Sequence, residues 1–390
     1  MTDRASTASI VELCTSEDGV AKACEQIEAF AENGQWQELA GLATSLEGQA
    51  ATAAKADRVY FETVLDHVED HLAVCKGEGA VDAMLALSLT ERHASVVLPR
   101  SHTLRTRAFA SRLGFGQPPE AFAAAIGRVG ERPEYRELLA CWLHELVLRE
   151  HTLDDPAVLR FHAGLADHPL GALPLVLRRT EREAPSYMPL YGDASLGSAI
   201  EALASTPRAG HTIPPPANGV HVTARPVEGD PRLEAAVKPW SEGRKGKVEA
   251  KVFALSAEVP ANAAGSWLLR ALSLDATADS PKLESVRVEP QAVFGTLFAA
   301  AANGGAYSAG LGGAYGRLAA WTTYGGLVGA ADPAAYDTAA LDAIEARANG
   351  AVFLSFRAQG PWFHDVAWDL GFLALRSEGT SVAVLAATDA

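Results

Sequence analysis

Two histidines and a cysteine recur at helical spacing in one segment of the chain. His67, His71 and Cys75 stand at positions i, i+4 and i+8. The segment that carries them, 52–75, has helical periodicity, so the three side chains share one face. Imidazole and thiolate are good zinc ligands. The order H-V-E-D-H differs from the zincin motif H-E-x-x-H, in which glutamate follows the first histidine. The segment predicts either a zinc site or two partly exposed histidines beside a core cysteine.

A second group of candidate ligands lies on the expected helix 133–151. It contains Cys141, His144 and Glu145, with His151 one heptad after His144. If this helix packs against the helix at 52–75, the two groups could converge. The simpler interpretation is a helical protein that uses histidine near its helix ends.

A glycine-rich segment spans residues 303–316 and reads NGGAYSAGLGGAYG. It lacks the G-K-[ST] of a P-loop, and an expected helix rather than a strand precedes it, which argues against a dinucleotide fingerprint. Its glycines could let backbone amides approach a ligand, or they could serve tight turns and close helix packing. The candidate ligand-binding positions are Gly304, Gly305, Gly312 and Gly313.

An aromatic strand end, GPWFHDVAWD, covers residues 360–369. His364 and Asp365 are adjacent on the expected strand, so they point to opposite faces and do not form a histidine–carboxylate pair. Trp362 and Trp368 flank them. This stretch either closes the core or forms the rim of a pocket, in which Trp362 and His364 would contact the ligand. The chain has no assembled nucleophile motif such as G-x-S-x-G.

The first half of the chain predicts consecutive helices with short links. Ser16 precedes a segment with acidic residues in its first turn, and Asp155-Pro156 is a typical helix start. Such links favour antiparallel helix hairpins, stacked as a solenoid or closed as a bundle. The expected helices are 17–32, 35–48, 52–75, 79–90, 102–114, 118–129, 133–151, 155–166 and 171–183.

The second half has a different residue pattern and predicts an α+β domain. Short β-branched runs alternate with Ala/Gly-rich helices, and the last forty residues predict an antiparallel meander with helices packed on one face. Three prolines, 214–216, favour an extended connection between the halves. The predicted organisation is an all-α domain over 1–185, a Pro/Gly-rich connection over 186–218 and an α+β domain over 219–390. The fold class overall is α+β.

Charge and composition limit the partners. The net charge is −15, and both halves are acidic, with 18 Lys/Arg against 28 Asp/Glu in residues 1–185. General binding to a nucleic-acid backbone is therefore not expected. No apolar run has the length of a membrane helix and no signal peptide is evident, which predicts a cytoplasmic protein that does not enter a membrane. The four cysteines form no C-x-x-C pair and predict reduced core thiols.

The C-terminal stretches GGAYGRLAAWTTYGGLVGA and WFHDVAWDLGFLALRSEGTSVAVLAATD are similar to those of an uncharacterised family of actinobacterial proteins of about this length. The resemblance spans most of the chain. Because the function of that family is unknown, the resemblance implies no activity, and no catalytic residue is carried over.

Together these patterns favour a non-enzymatic interaction or regulatory protein whose helical domain presents a partner surface, with another protein as the partner. The alternative is an enzyme or small-molecule binder with its site in the C-terminal domain, near the glycine-rich loop and Trp362–Asp369. A metal site on the helical domain is a third option. The sequence assigns no cofactor, catalytic residue or oligomeric state.

Overall fold

The computed structural model of the protein describes residues 7–90, 101–184, 222–242, 246–278, 280–364 and 368–389. The chain falls into two compact units, Met1–Gly171 and Ala172–Ala390. The predicted connection 186–218 lies outside the described residues, so the predicted domain limits stay predictions. In the part of the chain that the structure describes, no helix is both long and apolar enough to cross a membrane.

The first unit is helical, as predicted. The signals in the sequence explain its helix ends. At the start of α2, Ser16 Oγ accepts a hydrogen bond from the Gly19 amide at 3.2 Å, and two acidic residues occupy the first turn. Buried residues then recur at helical spacing, at Ala23, Ile27 and Phe30. The helices are α1 (Thr7–Leu13), α2 (Glu17–Glu32), α3 (Trp36–Thr52), α4 (Lys55–Val74), α5 (Glu78–Ser88), α6 (His102–Gly116), α7 (Pro119–Val129), α8 (Arg136–Leu148) and α9 (Pro156–Ala163).

The helices of this unit pack in two layers. The even-numbered helices contact one another in the order α2, α4, α6 and α8. The odd-numbered helices do the same in the order α1, α3, α5, α7 and α9. Such alternation is typical of a solenoid, in which each helix pair stacks on the next. The structure therefore favours the stacked arrangement over the closed bundle.

The predicted helix 171–183 is mostly wrong. Only Arg179–Arg182 is helical, as α10. Residues 172–178 instead run past a buried arginine, Arg317, which donates hydrogen bonds to the carbonyls of Pro174 at 2.8 Å and Val176 at 3.1 Å. Those carbonyls are satisfied by a distant side chain rather than by helix amides, and Pro174 has no amide to donate.

The second unit, which begins with the segment carrying α10, combines a six-stranded sheet with helices. Its described helices are α11 (Lys238–Glu242), α12 (Ser266–Ala271), α13 (Pro290–Asn303), α14 (Gly312–Val328) and α15 (Thr338–Gly350). The strands are β1 (Ala224–Pro226), β2 (Lys247–Leu255), β3 (Lys282–Val288), β4 (Val352–Gln359), β5 (Asp369–Leu375) and β6 (Ser381–Thr388).

Every neighbouring pair in the sheet is antiparallel, in the order β1-β2-β6-β5-β4-β3. The predicted C-terminal meander is confirmed as β4-β5-β6. One face packs on α13 and α14, where the rings of Tyr324 and Phe353 stack at 5.8 Å. The other face is covered as well, because Leu268 and Leu269 of α12 join a core cluster with Leu373 of β5. The prediction of helices on one face was therefore incomplete.

Candidate functional site

One surface of the helical unit is exposed and acidic. On α2, Glu25 and Glu32 lie opposite the buried Ala23 and Ile27 and are exposed. On α4, Asp66 and Asp70 lie on the outward side, with 39% and 50% of their side chains exposed. Val74 at the end of α4 and Phe115 near the end of α6 also reach solvent. We use the name α2–α6 face for Glu25, Glu32, Asp66, Asp70, Val74 and Phe115.

A buried carboxylate anchors α6 beneath this face. The side chain of Glu69 is 1% exposed and accepts hydrogen bonds from Arg112 Nη1 at 2.5 Å and Arg105 Nη2 at 3.5 Å. Arg112 also pairs with Asp66 and Asp70. Burial opposes the charge of Arg112, but these three carboxylates outweigh it, so the pKa of the guanidinium is raised. The acids of α4 thus fix α6 through arginines that stay close to the surface.

The apolar part of the face lies where α4 and α6 end together. An added Cβ at Gly116 would lie 2.2 Å from the carbonyl oxygen of Ala73, so only glycine permits this approach. The preceding residue, Phe115, is 51% exposed, and Val74 is 36% exposed. The close approach at Gly116 therefore holds the backbone next to Phe115 against the end of α4, while the aromatic ring of Phe115 stays exposed to solvent.

The metal-ligand candidates of the sequence are only partly brought together. Donor atoms of His67, His71 and Glu28 lie within 4.8 Å of one another, and Glu28 comes from α2. Cys75 does not belong to this group. Because α4 ends at Val74 and Cys75 has an extended backbone, its side chain leaves the helical register.

The second group of candidate ligands has structural partners. Cys141, His144 and Glu145 are buried in α8. His144 Nε2 lies 2.9 Å from the carbonyl oxygen of Leu170, and Glu145 pairs with Arg149 at 2.9 Å. Burial is the main reason that the pKa of the Cys141 thiol is raised well above its usual value. These groups do not join the Glu28, His67 and His71 group.

The second unit has a pocket of about 360 Å³ at one end of the sheet. The edge strand β3 and the end of β4 form its walls, and the aromatic stretch after β4 completes it. The predicted residue His364 lines this pocket, but Trp362 does not: its ring packs on Phe363 at 4.6 Å. The lining consists of Lys282, Glu284, residues 357–360, Phe363 and His364.

A buried carboxylate holds two walls of this pocket. The side chain of Asp369, at the start of β5, is 2% exposed. Its Oδ2 accepts hydrogen bonds from Arg357 Nη2 at 2.9 Å and from the His364 amide at 3.1 Å, and its Oδ1 accepts one from Thr388 Oγ1 at 2.6 Å. Arg357 and the backbone at His364 are therefore fixed before any ligand arrives, which reduces the cost of ordering them on binding.

The predicted glycine-rich loop reaches the same end of the sheet. Asp389 Oδ2 accepts hydrogen bonds from the Tyr307 amide at 3.0 Å and Ser308 Oγ at 2.9 Å, and the Asp389 amide donates to the Trp368 carbonyl at 3.2 Å. A Cβ at Gly305 would lie 2.0 Å from Asp389 Oδ2, so this glycine is needed for the approach.

The other predicted glycines have conformational roles. Gly304 has a φ of 82° and Gly312 a φ of 75°, which favour glycine. Gly312 and Gly313 start α14. None of the four glycines belongs to the lining of the 360 Å³ pocket. Their predicted role in ligand binding stays a prediction.

Residues 21–390 match a family described as a family of unknown function (DUF6183). The chain belongs to this family. The predicted resemblance to an uncharacterised family is thereby confirmed, while the actinobacterial origin stays a prediction. No curated protein and no solved structure is similar enough to match the chain.

For this member of the family, the sequence did not reveal the residues that organise the candidate sites. Glu28 is 39 positions before His67, and Asp369 is 12 positions after Arg357. Periodicity within one helix or strand reports only the neighbours of that element. The sequence does show that acidic residues are enriched on the side of α2 opposite its apolar residues. That pattern predicts a charged face, but it does not show which residues of α4 lie next to it.

Proposed function

We propose that this protein is a non-enzymatic interaction protein, and that the α2–α6 face binds a segment of another protein. The observation that carries the proposal is the two-layer stacking of helices. Stacked helix pairs present an extended surface built from several elements, and proteins use such surfaces to bind partners. The proposal includes the cytoplasmic location that the sequence predicts, a compartment in which cysteine thiols stay reduced.

The chemistry of the face indicates the chemistry of the partner. Glu25 and Glu32 of α2 carry negative charge at the surface, beside the partly exposed Asp66 and Asp70. Phe115 adds an exposed aromatic ring at one end. A segment that combines Lys or Arg with an apolar side chain would complement both features.

The experiment compares matched surface variants in affinity capture from an extract of cells that produce the protein. Phe115→Ser and the pair Glu25→Gln/Glu32→Gln alter the α2–α6 face. Leu159→Ser on α9 and the pair Glu12→Gln/Glu120→Gln alter exposed positions on the odd-numbered helices. We expect the face variants to lose a protein that the wild type and the controls retain. Equal capture by all five proteins would contradict the proposal.

A second candidate function is supported by the pocket of the second unit. Lys282, Arg357 and His364 line it in a chain with a net charge of −15, and Glu284 is the one acidic residue among the lining residues that the structure describes. Asp369 fixes Arg357 in place. This arrangement would suit a small organic acid or phosphate, with the cationic side chains opposite its charge.

A matched pair of lysines tests this second candidate. Lys282 and Lys238 are 65% and 67% exposed, and each pairs with a glutamate. Calorimetric titration with citrate and with inorganic phosphate should give saturable binding to the wild type and to Lys238→Gln, and weaker binding to Lys282→Gln. Equal affinities in the two variants, or no saturable heat with the wild type, would contradict a ligand in this pocket.

A further inference from the structure

Glu28, His67 and His71 bring three potential metal ligands from two neighbouring helices to one place. The two histidines are one turn apart on α4, and the carboxylate comes from α2, the adjacent helix of the same layer. We propose that these three side chains bind a divalent transition-metal ion, with zinc as the probe. The proposal does not depend on whether the α2–α6 face binds a protein.

The distances fit a metal centre. A tetrahedral zinc ion with bonds of about 2.0–2.1 Å places its donor atoms about 3.3 Å apart. His67 Nε2 lies 3.5 Å from Glu28 Oε1, and the donor atoms of all three residues lie within 4.8 Å. Rotation of the exposed Glu28 side chain, 54% of which reaches solvent, could shorten these separations with little cost in packing. Three protein ligands would leave one position of the ion for water or for another ligand.

The hydrogen bonding of His67 also indicates a ligand. Its Nε2 atom is buried from solvent and has no hydrogen-bond partner among the residues that the structure describes. At 3.5 Å, Glu28 Oε1 is close enough for an ion pair but is not in hydrogen-bonding geometry with it. Buried polar atoms almost always have a partner, and a metal ion would supply one here.

The second histidine is a close neighbour of the first. The ring of His71 lies 4.4 Å from that of His67, measured between centroids. Two imidazoles this close can bind the same ion, and histidine is a common zinc ligand.

Calorimetric titration with zinc chloride tests the proposal. The untagged protein is first stripped of bound metal with a chelator and is then titrated. The wild type should bind one zinc ion per chain. His71→Ala and Glu28→Gln should each weaken the affinity at least about tenfold, because each removes a ligand. His102→Ala, which alters an exposed histidine on α6, should leave the affinity unchanged. Circular dichroism should confirm that each variant is folded.

Cobalt(II) in place of zinc distinguishes the ligand set from the one that the sequence predicted. With nitrogen and oxygen ligands alone, the complex should show visible ligand-field bands and no thiolate charge-transfer band. A strong charge-transfer band that Cys75→Ser removes would overturn the assignment of Glu28 in place of Cys75. A wild type that binds no zinc, or a His71→Ala variant that binds it with wild-type affinity, would overturn the site altogether.

Discussion

A buried charge network in the helical unit and one in the second unit differ in how far they are sealed from solvent. In the helical unit, Glu69 is buried, but its arginine partners are 7% and 11% exposed and also contact other acids near the surface. In the second unit, Glu181 and Arg317 are both fully buried, with hydrogen bonds of 2.7 and 3.1 Å between them. The Glu69 network reaches partly exposed acids, whereas both charged partners of the second network are sealed from solvent. The sealed pair therefore stabilises the interior of the second unit, and the Glu69 network links α4 and α6 close to their exposed side.

The largest effect is expected when the sealed pair is broken. Glu181→Ala would remove the carboxylate that balances the charge of the fully buried Arg317 guanidinium, which would keep its hydrogen bonds to the carbonyls of Pro174 and Val176. Loss of one partner of a buried pair costs about 3–5 kcal/mol. We expect the free energy of unfolding to fall by that amount in urea titrations followed by circular dichroism. Trp321→Phe removes the 2.9 Å hydrogen bond to Glu181 and also part of a fully buried ring, so it should cost about 1–3 kcal/mol.

The open network should tolerate the equivalent change better. In Glu69→Ala, Arg105 keeps Glu47 at 2.6 Å, and Arg112 keeps Asp66 and Asp70. The expected loss of stability is about 1–3 kcal/mol, measured in the same way. A loss of stability in Glu69→Ala as large as that in Glu181→Ala would remove the contrast between the two networks.

A half-buried carboxylate of the second unit should give the smallest of these effects. Glu345 accepts hydrogen bonds from the Thr180 amide at 3.0 Å and from Arg178 at 2.8 Å. Burial acts to raise the pKa of Glu345, but these hydrogen bonds outweigh it, so its pKa is lowered. A lowered folded-state pKa stabilises the protein above the unfolded pKa, and this contribution is lost as the pH falls through the folded value.

Glu345→Gln measures that contribution. We expect the wild type to exceed the variant in unfolding free energy by about 1 kcal/mol at pH 7. The difference should shrink as the pH falls below the usual glutamate pKa of 4.5. A difference that grows toward acid pH would show that the carboxylate is not stabilised in its charged form.

Local signals in the sequence predicted much of the fold correctly. The helix predicted at 17–32 has those bounds in the structure, because its cap and its apolar stripe are both local. The helix predicted at 171–183 was mostly wrong because its carbonyls serve Arg317, some 140 residues away in the chain. No local pattern contains that information.

In the candidate sites, too, residues that share one helix could be grouped from the sequence, whereas residues brought together by packing could not. His67 and His71 were found by spacing because they share a helix, whereas Glu28 required the packing of α2 on α4. Cys75 was included because the helical spacing was extended one residue beyond the end of α4. His364 was identified as part of a pocket rim, but Arg357 and Asp369 depend on how two strand ends meet.

The central claim is that the helical unit presents its α2–α6 face to a partner protein. Its most direct test is a photo-crosslinking amino acid placed at position 115 and, in a second protein, at position 159, followed by irradiation of the producing cells. Both positions are exposed apolar sites, at 51% and 48%. The account predicts a discrete, light-dependent adduct from position 115 and none from position 159. No adduct at either position, or the same adduct at both, would contradict it.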